Sequence, residues 1–188
     1  MKSPAWFPSP GSWMSAILLT LLMSAIAFVI KLTSEPVGQF LEQNLSTRLR
    51  WSLAALSILL PILVIAVTHH LLHLYLDRFF PDTQSPEMGR TEGFFPGLMS
   101  WWEGMYGWLV IFVSTTVTIA IIAAFFPFDS SGYAFLYYMQ TLFAWDDPKH
   151  LLSAPVIGRT IIAAYLYQFE HLVRRRWKND RHNTHSRR

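Results

Sequence analysis

Three long stretches without an ionised side chain constrain this chain more than any other feature. Residues 14–30, 53–68 and 105–128 contain no Asp, Glu, Lys or Arg, and the first and third hold 17 and 24 residues. A helix needs roughly 20 apolar residues to cross a hydrocarbon core about 30 Å thick, and Trp or Tyr at the run ends extends its reach to the headgroups. Helices of a small water-facing bundle carry a polar face at 3.6-residue spacing, which residues 17–23 and 58–67 do not offer. With 52% hydrophobic and only 14% charged residues, the chain is also too apolar for an ordinary soluble domain of 188 residues.

The pattern predicts an all-α integral membrane bundle of four transmembrane helices plus one or two interfacial or re-entrant helices. The spans are expected at about 13–31, 51–76, 104–126 and 154–173 in a single membrane domain, followed by a basic tail at 174–188. The fourth span is the least apolar, because it carries Arg159 and Glu170. Cysteine is absent, which excludes disulfides, thiolate metal sites and a cysteine nucleophile.

Before the first span, Pro4, Pro8, Pro10 and Gly11 predict an extended lead-in over 1–12. Ala25-Ile26-Ala27 resembles a signal-peptidase site, but the apolar run continues to Ile30, so the expected reading is an uncleaved span. Glu35-Pro36 is expected to break the helix. Val37, Phe40, Leu41, Leu45 and Leu49 then share one helical face, as in a helix lying on the bilayer. Asn44-Leu45-Ser46 matches a glycosylation acceptor, a pattern common by chance.

Pro61 should kink the second span, since its ring removes one backbone donor. Residues 77–100, rich in Pro and Gly, read as a long loop, and Phe-Phe-Pro at 79–81, 94–96 and 125–127 reads as aromatic anchors beside helix stops. Ser114 and Thr118, one turn apart in the third span, form a small face suited to helix packing. After the turn at 129–132, residues 133–145 are apolar but too short to cross a bilayer. Arg159, near the start of the fourth span, is expected to reach the interface as an anchor and pair with Asp146 or Asp147; the alternative reading is a buried ion or substrate contact.

Seven of the 15 basic side chains lie in 174–188. The positive-inside rule puts this tail on the cytoplasmic side, and four spans put the N-terminus there as well. Anionic lipid is a candidate partner for the tail. Nucleic acid is disfavoured, because no stacking platform or binding fold accompanies the charges.

That topology gives His69, His70, His73 and Asp77 a setting. On a helix they occupy an arc of about 100°, at the same membrane surface as Glu103, Glu170 and His171. His69, His70, His73, Glu170 and His171 are the candidate metal ligands: imidazole and carboxylate at this spacing suit Zn, Fe or Mn. Paired histidines, His70 or His73 with His171, could alternatively ligate haem. The bland reading is histidines at a span end, bonded to water, headgroups or Glu170.

His69-His70-Leu71-Leu72-His73 and Gln168-Phe169-Glu170-His171 resemble fragments of the histidine boxes of membrane fatty-acid desaturases and hydroxylases, which hold a di-iron centre. Membership would imply a fuller histidine set. This chain has five histidines outside its extreme tail, and Leu172 stands where a second histidine would follow the glutamate, so membership is not assigned.

Three function classes remain. The favoured one is a non-enzymatic accessory, assembly or structural subunit of a larger membrane complex, with other membrane subunits and the lipid bilayer as partners. The second is a metal- or haem-dependent membrane enzyme or electron carrier using the histidines; no cofactor is favoured. The third is an oligomeric transporter. The expected site is a bacterial cytoplasmic membrane, with a photosynthetic or organellar membrane as the alternative.

Overall fold

The structure, a computed structural model, describes Pro4 and residues 6–57, 59–79, 95–126 and 133–185, with backbone alone at 76–79 and 177–185. Its elements are α1 (Pro10–Asn44), α2 (Thr47–Ser57), α3 (Leu60–Phe79), α4 (Leu98–Phe125), α5 (Tyr133–Phe143), a 3₁₀ turn (Pro148–His150) and α6 (Ala154–His185), with no strand among the described residues. The side chain of Asp77, most of the 77–100 connector with Phe80, Pro81 and Phe94 of its Phe-Phe-Pro triplets, Pro127, the 129–132 turn and the side chains of the outer tail lie outside the described residues.

Two helices, α1 and α4, are long and apolar enough to cross a membrane. A third span results if α2 and α3, which meet at a bend of 48°, are taken as one. The break falls just ahead of Pro61, near the expected kink. Proline is tolerated in the first turn of α3, where its missing N–H has no intrahelical partner to lose. Helix α6 does not reach the same apolar threshold, for it contains Arg159 and Glu170 in its first five turns.

Helix α1 corrects two expectations. It starts at Pro10 rather than after the lead-in, because Ser9 caps it: the Ser9 hydroxyl accepts from the Ser12 amide at 3.2 Å, and Pro10 occupies the first helical position, where its fixed φ is an advantage. It also continues through Pro36 to Asn44 instead of breaking. One proline costs the helix a single amide donor and some bending, and here residues 31–37 are all exposed, so nothing packs against the distortion. The face expected to lie on the bilayer is thus divided between the end of α1 and α2, whose start is capped by Ser46 accepting from the Leu49 amide.

Spatially the chain forms two compact units, one of Met1–Val29 with Val110–Arg188 and the other of Ile30–Leu109. In the first, α1 and α6 are pinned at two levels. Ser12 Oγ donates to Gln168 Oε1 at 3.0 Å, and the Thr20 and Thr160 hydroxyls lie 3.1 Å apart. The contact climbs eight residues along α1 as it descends eight along α6, so the helices run antiparallel, with the two ties about 12 Å apart. Ala16 and Ala164, midway between the ties on their respective helices, are completely buried. Ser12-Ala16-Thr20 and Thr160-Ala164-Gln168 are therefore small or polar stripes at one-turn spacing, the arrangement by which helices in lipid approach closely and bond across their interface.

The same unit holds the second half of α4. Ser114 and Thr118 are buried there, as a packing face requires. Their hydroxyls donate to the carbonyls of Ile111 and Ser114 on their own helix, at 3.3 and 2.8 Å.

In the second unit α4 comes close to α3 at Gly104. A Cβ placed there would stand 2.5 Å from the Ile62 carbonyl oxygen and 3.0 Å from Ala66 Cβ, so the glycine is what lets α4 lie against α3.

Candidate functional site

The sequence-predicted ligands divide between the units. His69, His70 and His73 lie on α3 in the second unit; Glu170 and His171 lie on α6 in the first. His69 and His73, one helical turn apart, bring their ring centroids to 4.5 Å, and His69 Nδ1 lies 3.2 Å from the Ser100 hydroxyl. His70 points elsewhere and is buried, with 2% of its surface exposed. The three described members of the arc expected from the helix wheel meet different surroundings: a partly exposed imidazole pair and a core histidine.

On α6, Glu170 forms an ion pair with Arg174 one turn on, and His171 is exposed. Among the described residues no group of three or more His, Asp or Glu side chains is gathered at ligating distance.

The most unusual polar group is Arg159. Sequence reasoning expected it to reach the interface and pair with Asp146 or Asp147. Instead its residue surface is only 5% exposed, and its guanidinium carbon sits 4.6 Å over the centre of the Trp145 ring. Asp147 is occupied locally: it accepts from the Lys149 amide at 2.9 Å, capping the 3₁₀ turn, and lies 3.8 Å from His150 Nε2.

Trp145 is held in turn by its neighbours. Its indole N–H donates to the Leu142 carbonyl, and its own carbonyl accepts from Ser24 of α1. Arg159, Thr20, Ser24, Trp145 and His150 line a narrow recess with no room for a water-sized sphere. Arg159 Nη1 is buried there with no hydrogen-bond acceptor among the described residues.

A second hollow in the first unit is almost wholly apolar. It measures about 490 Å³ and is lined by Ile121, Ile122, Phe126, Tyr138, Pro155 and Gly158 among others. Gly158 has open space where a Cβ would stand.

Sequence reading missed Ser12, Ala16, Thr20, Gln168 and the Trp145–Arg159 stack. The signal for the first four was present as small or polar residues four apart in two helices, the spacing already read at Ser114 and Thr118. The stack carries no such signal, because Trp145 belongs to the segment after α5 and its approach to Arg159 depends on the turn at 146–153.

These features define an all-helical protein with at least two helices able to cross a membrane. No family model, no curated protein and no solved structure matches the chain.

Proposed function

We propose that the chain is a four-spanning membrane protein, with α1, the α2–α3 pair, α4 and α6 as its spans and both termini on the cytoplasmic side of a bacterial membrane. It serves as a non-enzymatic accessory, assembly or structural subunit of a larger membrane complex.

The observation that carries this reading is the direction in which α6 turns its side chains. Arg159, Ala163, Ala164 and Gln168 are buried, while Ile157, Ile161, Tyr165 and Phe169, four residues apart, are exposed. A helix in water hides its isoleucines and shows its glutamine; α6 does the reverse, as a helix surrounded by lipid does. Outward apolar side chains occur elsewhere too. In α1, Ser12 and Ala16 are buried beside Leu19 and Met23 while Met14, Ile17, Leu18 and Leu21 are exposed; in α4, Ser114 and Thr118 are buried beside Val110 and Ile122 while Phe112 and Ile121 are exposed.

Only 17% of the most apolar window of α1 and 28% of that of α4 are covered by the chain itself. The remaining surface is therefore available to lipid and to other membrane helices. The hydroxyls of Ser12, Thr20, Thr160, Ser114 and Thr118 bond to Gln168, to one another or to backbone carbonyls, which supports a packing role for them.

Blue-native electrophoresis and crosslinking of the tagged full chain, extracted in mild detergent, test the assignment. The expected result is a discrete assembly of fixed stoichiometry, colourless and without stoichiometric metal. A Soret band, or bound iron or zinc lost in both His70→Ala and His73→Ala, overturns it in favour of a metal- or haem-dependent protein.

A further inference from the structure

We propose that Arg159 anchors a phosphate-binding site within the first unit, the phosphate coming from a phospholipid headgroup or from soluble phosphate. The lipid source rests on the bilayer reading of α6 given above.

A guanidinium carries five N–H donors and keeps its charge in proteins. Placed 5% exposed, it is withdrawn from water, and the Trp145 ring at 4.6 Å compensates only one of its faces. The ring supplies no acceptor oxygen, and Nη1 is buried with no hydrogen-bond partner among the described residues. A buried charge left in that condition is strongly unfavourable unless an anion completes it. The planar fork matches two oxygens of one tetrahedral anion.

Position selects phosphate over the carboxylate of another helix. Arg159 lies five residues into α6, about 7.5 Å of axial rise from Ala154, just beyond a connector bearing Asp146, Asp147, Lys149 and His150. That is headgroup depth for a helix entering a bilayer at Ala154, and an indole beside the cation belongs at the same level. His150 lines the same recess and supplies a second nitrogen donor when protonated, with Asp147 at its back. Phosphate has enough oxygens to meet both groups. The recess is closed to a water-sized sphere, so the proposed binding requires a phosphate oxygen to reach Nη1 from the rim with displacement of the connector at 146–153.

The test uses the full chain in zwitterionic detergent, as wild type, Arg159→Gln and Arg159→Lys. Native mass spectrometry measures retention of phosphatidylglycerol against diacylglycerol with the same acyl chains, and thermal unfolding measures stabilisation by inorganic phosphate. The lipid source predicts that wild type retains phosphatidylglycerol but not diacylglycerol, and that Arg159→Gln lowers this retention at least about tenfold. A soluble source predicts that inorganic phosphate raises the unfolding midpoint of wild type and not of Arg159→Gln.

Arg159→Lys keeps the charge but loses the fork, so it guards against a Gln variant that does not fold; it should retain the ligand less well than wild type. The proposal is overturned if either folded variant matches wild type in both assays. It is likewise overturned if retention does not distinguish phosphatidylglycerol from diacylglycerol and inorganic phosphate stabilises nothing. Alkaline carbonate extraction separates the two readings: release of the chain from membranes refutes the bilayer assignment, and the inorganic phosphate assay then decides the site alone.

Discussion

Gly104 and Gly158 offer a sign test of the packing, because one chemical change at two helical glycines should act in opposite directions. Glycine to alanine inside a helix gains roughly 0.8–1 kcal/mol from propensity alone. At Gly158 nothing lies within 4 Å of the new methyl group, so Gly158→Ala should keep most of that gain. At Gly104 the same methyl would arrive 2.5 Å from the Ile62 carbonyl oxygen and 3.0 Å from Ala66 Cβ, and its nearest obstacle is backbone, which no side-chain rotation can remove. Helix α4 must then move away from α3. Overpacking of this kind costs about 1–3 kcal/mol, and loss of the close approach can bring it to the upper end. Net of the propensity gain, Gly104→Ala should destabilise by about 2 kcal/mol, or roughly 4–8 °C in midpoint for a chain of this size. Intrinsic tryptophan fluorescence during heating in detergent measures both variants, and Gly104→Ser should fall in the same direction as Gly104→Ala. A Gly104→Ala protein as stable as wild type would refute the close contact between α3 and α4.

The ties between α1 and α6 give a second measurement: in a double-mutant cycle of Thr20→Val and Thr160→Val, the unfolding free energies should show coupling of about 0.6 kcal/mol, and strict additivity would deny the hydroxyl contact. Ser12→Ala removes a buried donor to Gln168 and a hydroxyl partner of the capping Ser9, and should cost about 1 kcal/mol by the same heating assay. Because the chain contains no cysteine, single cysteines placed in the lead-in and in the basic tail can be labelled on intact cells with an impermeant maleimide; four spans predict that both stay protected until the membrane is permeabilised. Ile161→Lys tests the outward stripe of α6. On a water-facing surface such a change stays within about 0.5 kcal/mol, whereas in lipid it approaches 3–4 kcal/mol and should sharply reduce membrane insertion in a glycosylation-mapping assay.

The apolar runs made α1 and α4 legible, since length and hydropathy are properties of single segments. What the sequence obscured were matters decided between segments or by very local chemistry. Pro10 and Pro36 carry the same side chain, and composition reads both as helix breakers; Ser9 turns the first into a helix start, and exposure lets the second pass. The three histidines were readable as a cluster because one helix presents them, yet their division into a tilted ring pair, His69 with His73, and a buried His70 follows from how α3 meets its neighbours. Arg159 was read as an interfacial cation by its depth along α6. Its burial against Trp145 comes from a turn that brings the segment after α5 back onto the helix, which no periodicity encodes.

Helix α6 shows why an average over a segment understates what its residues can do. Mean hydropathy counts Arg159, Gln168 and Glu170 against crossing a membrane wherever they point, and by that measure α6 falls short. The energetic cost, however, depends on which groups meet lipid. Gln168 is occupied by Ser9 and Ser12, Glu170 by Arg174, and the Arg159 guanidinium by Trp145 on one face, so their polar atoms are largely turned toward protein. The surface left to the surroundings is Ile157, Ile161, Tyr165 and Phe169. A helix built this way depends on its partners: without α1 and the Trp145 segment, Gln168 and Arg159 would face hydrocarbon unpaired, each at a cost of several kcal/mol. On the proposed four-span reading, α6 should enter the membrane with the rest of the chain rather than alone, and α1, joined to it at Ser12 and Thr20, is the element that would make a fourth span admissible.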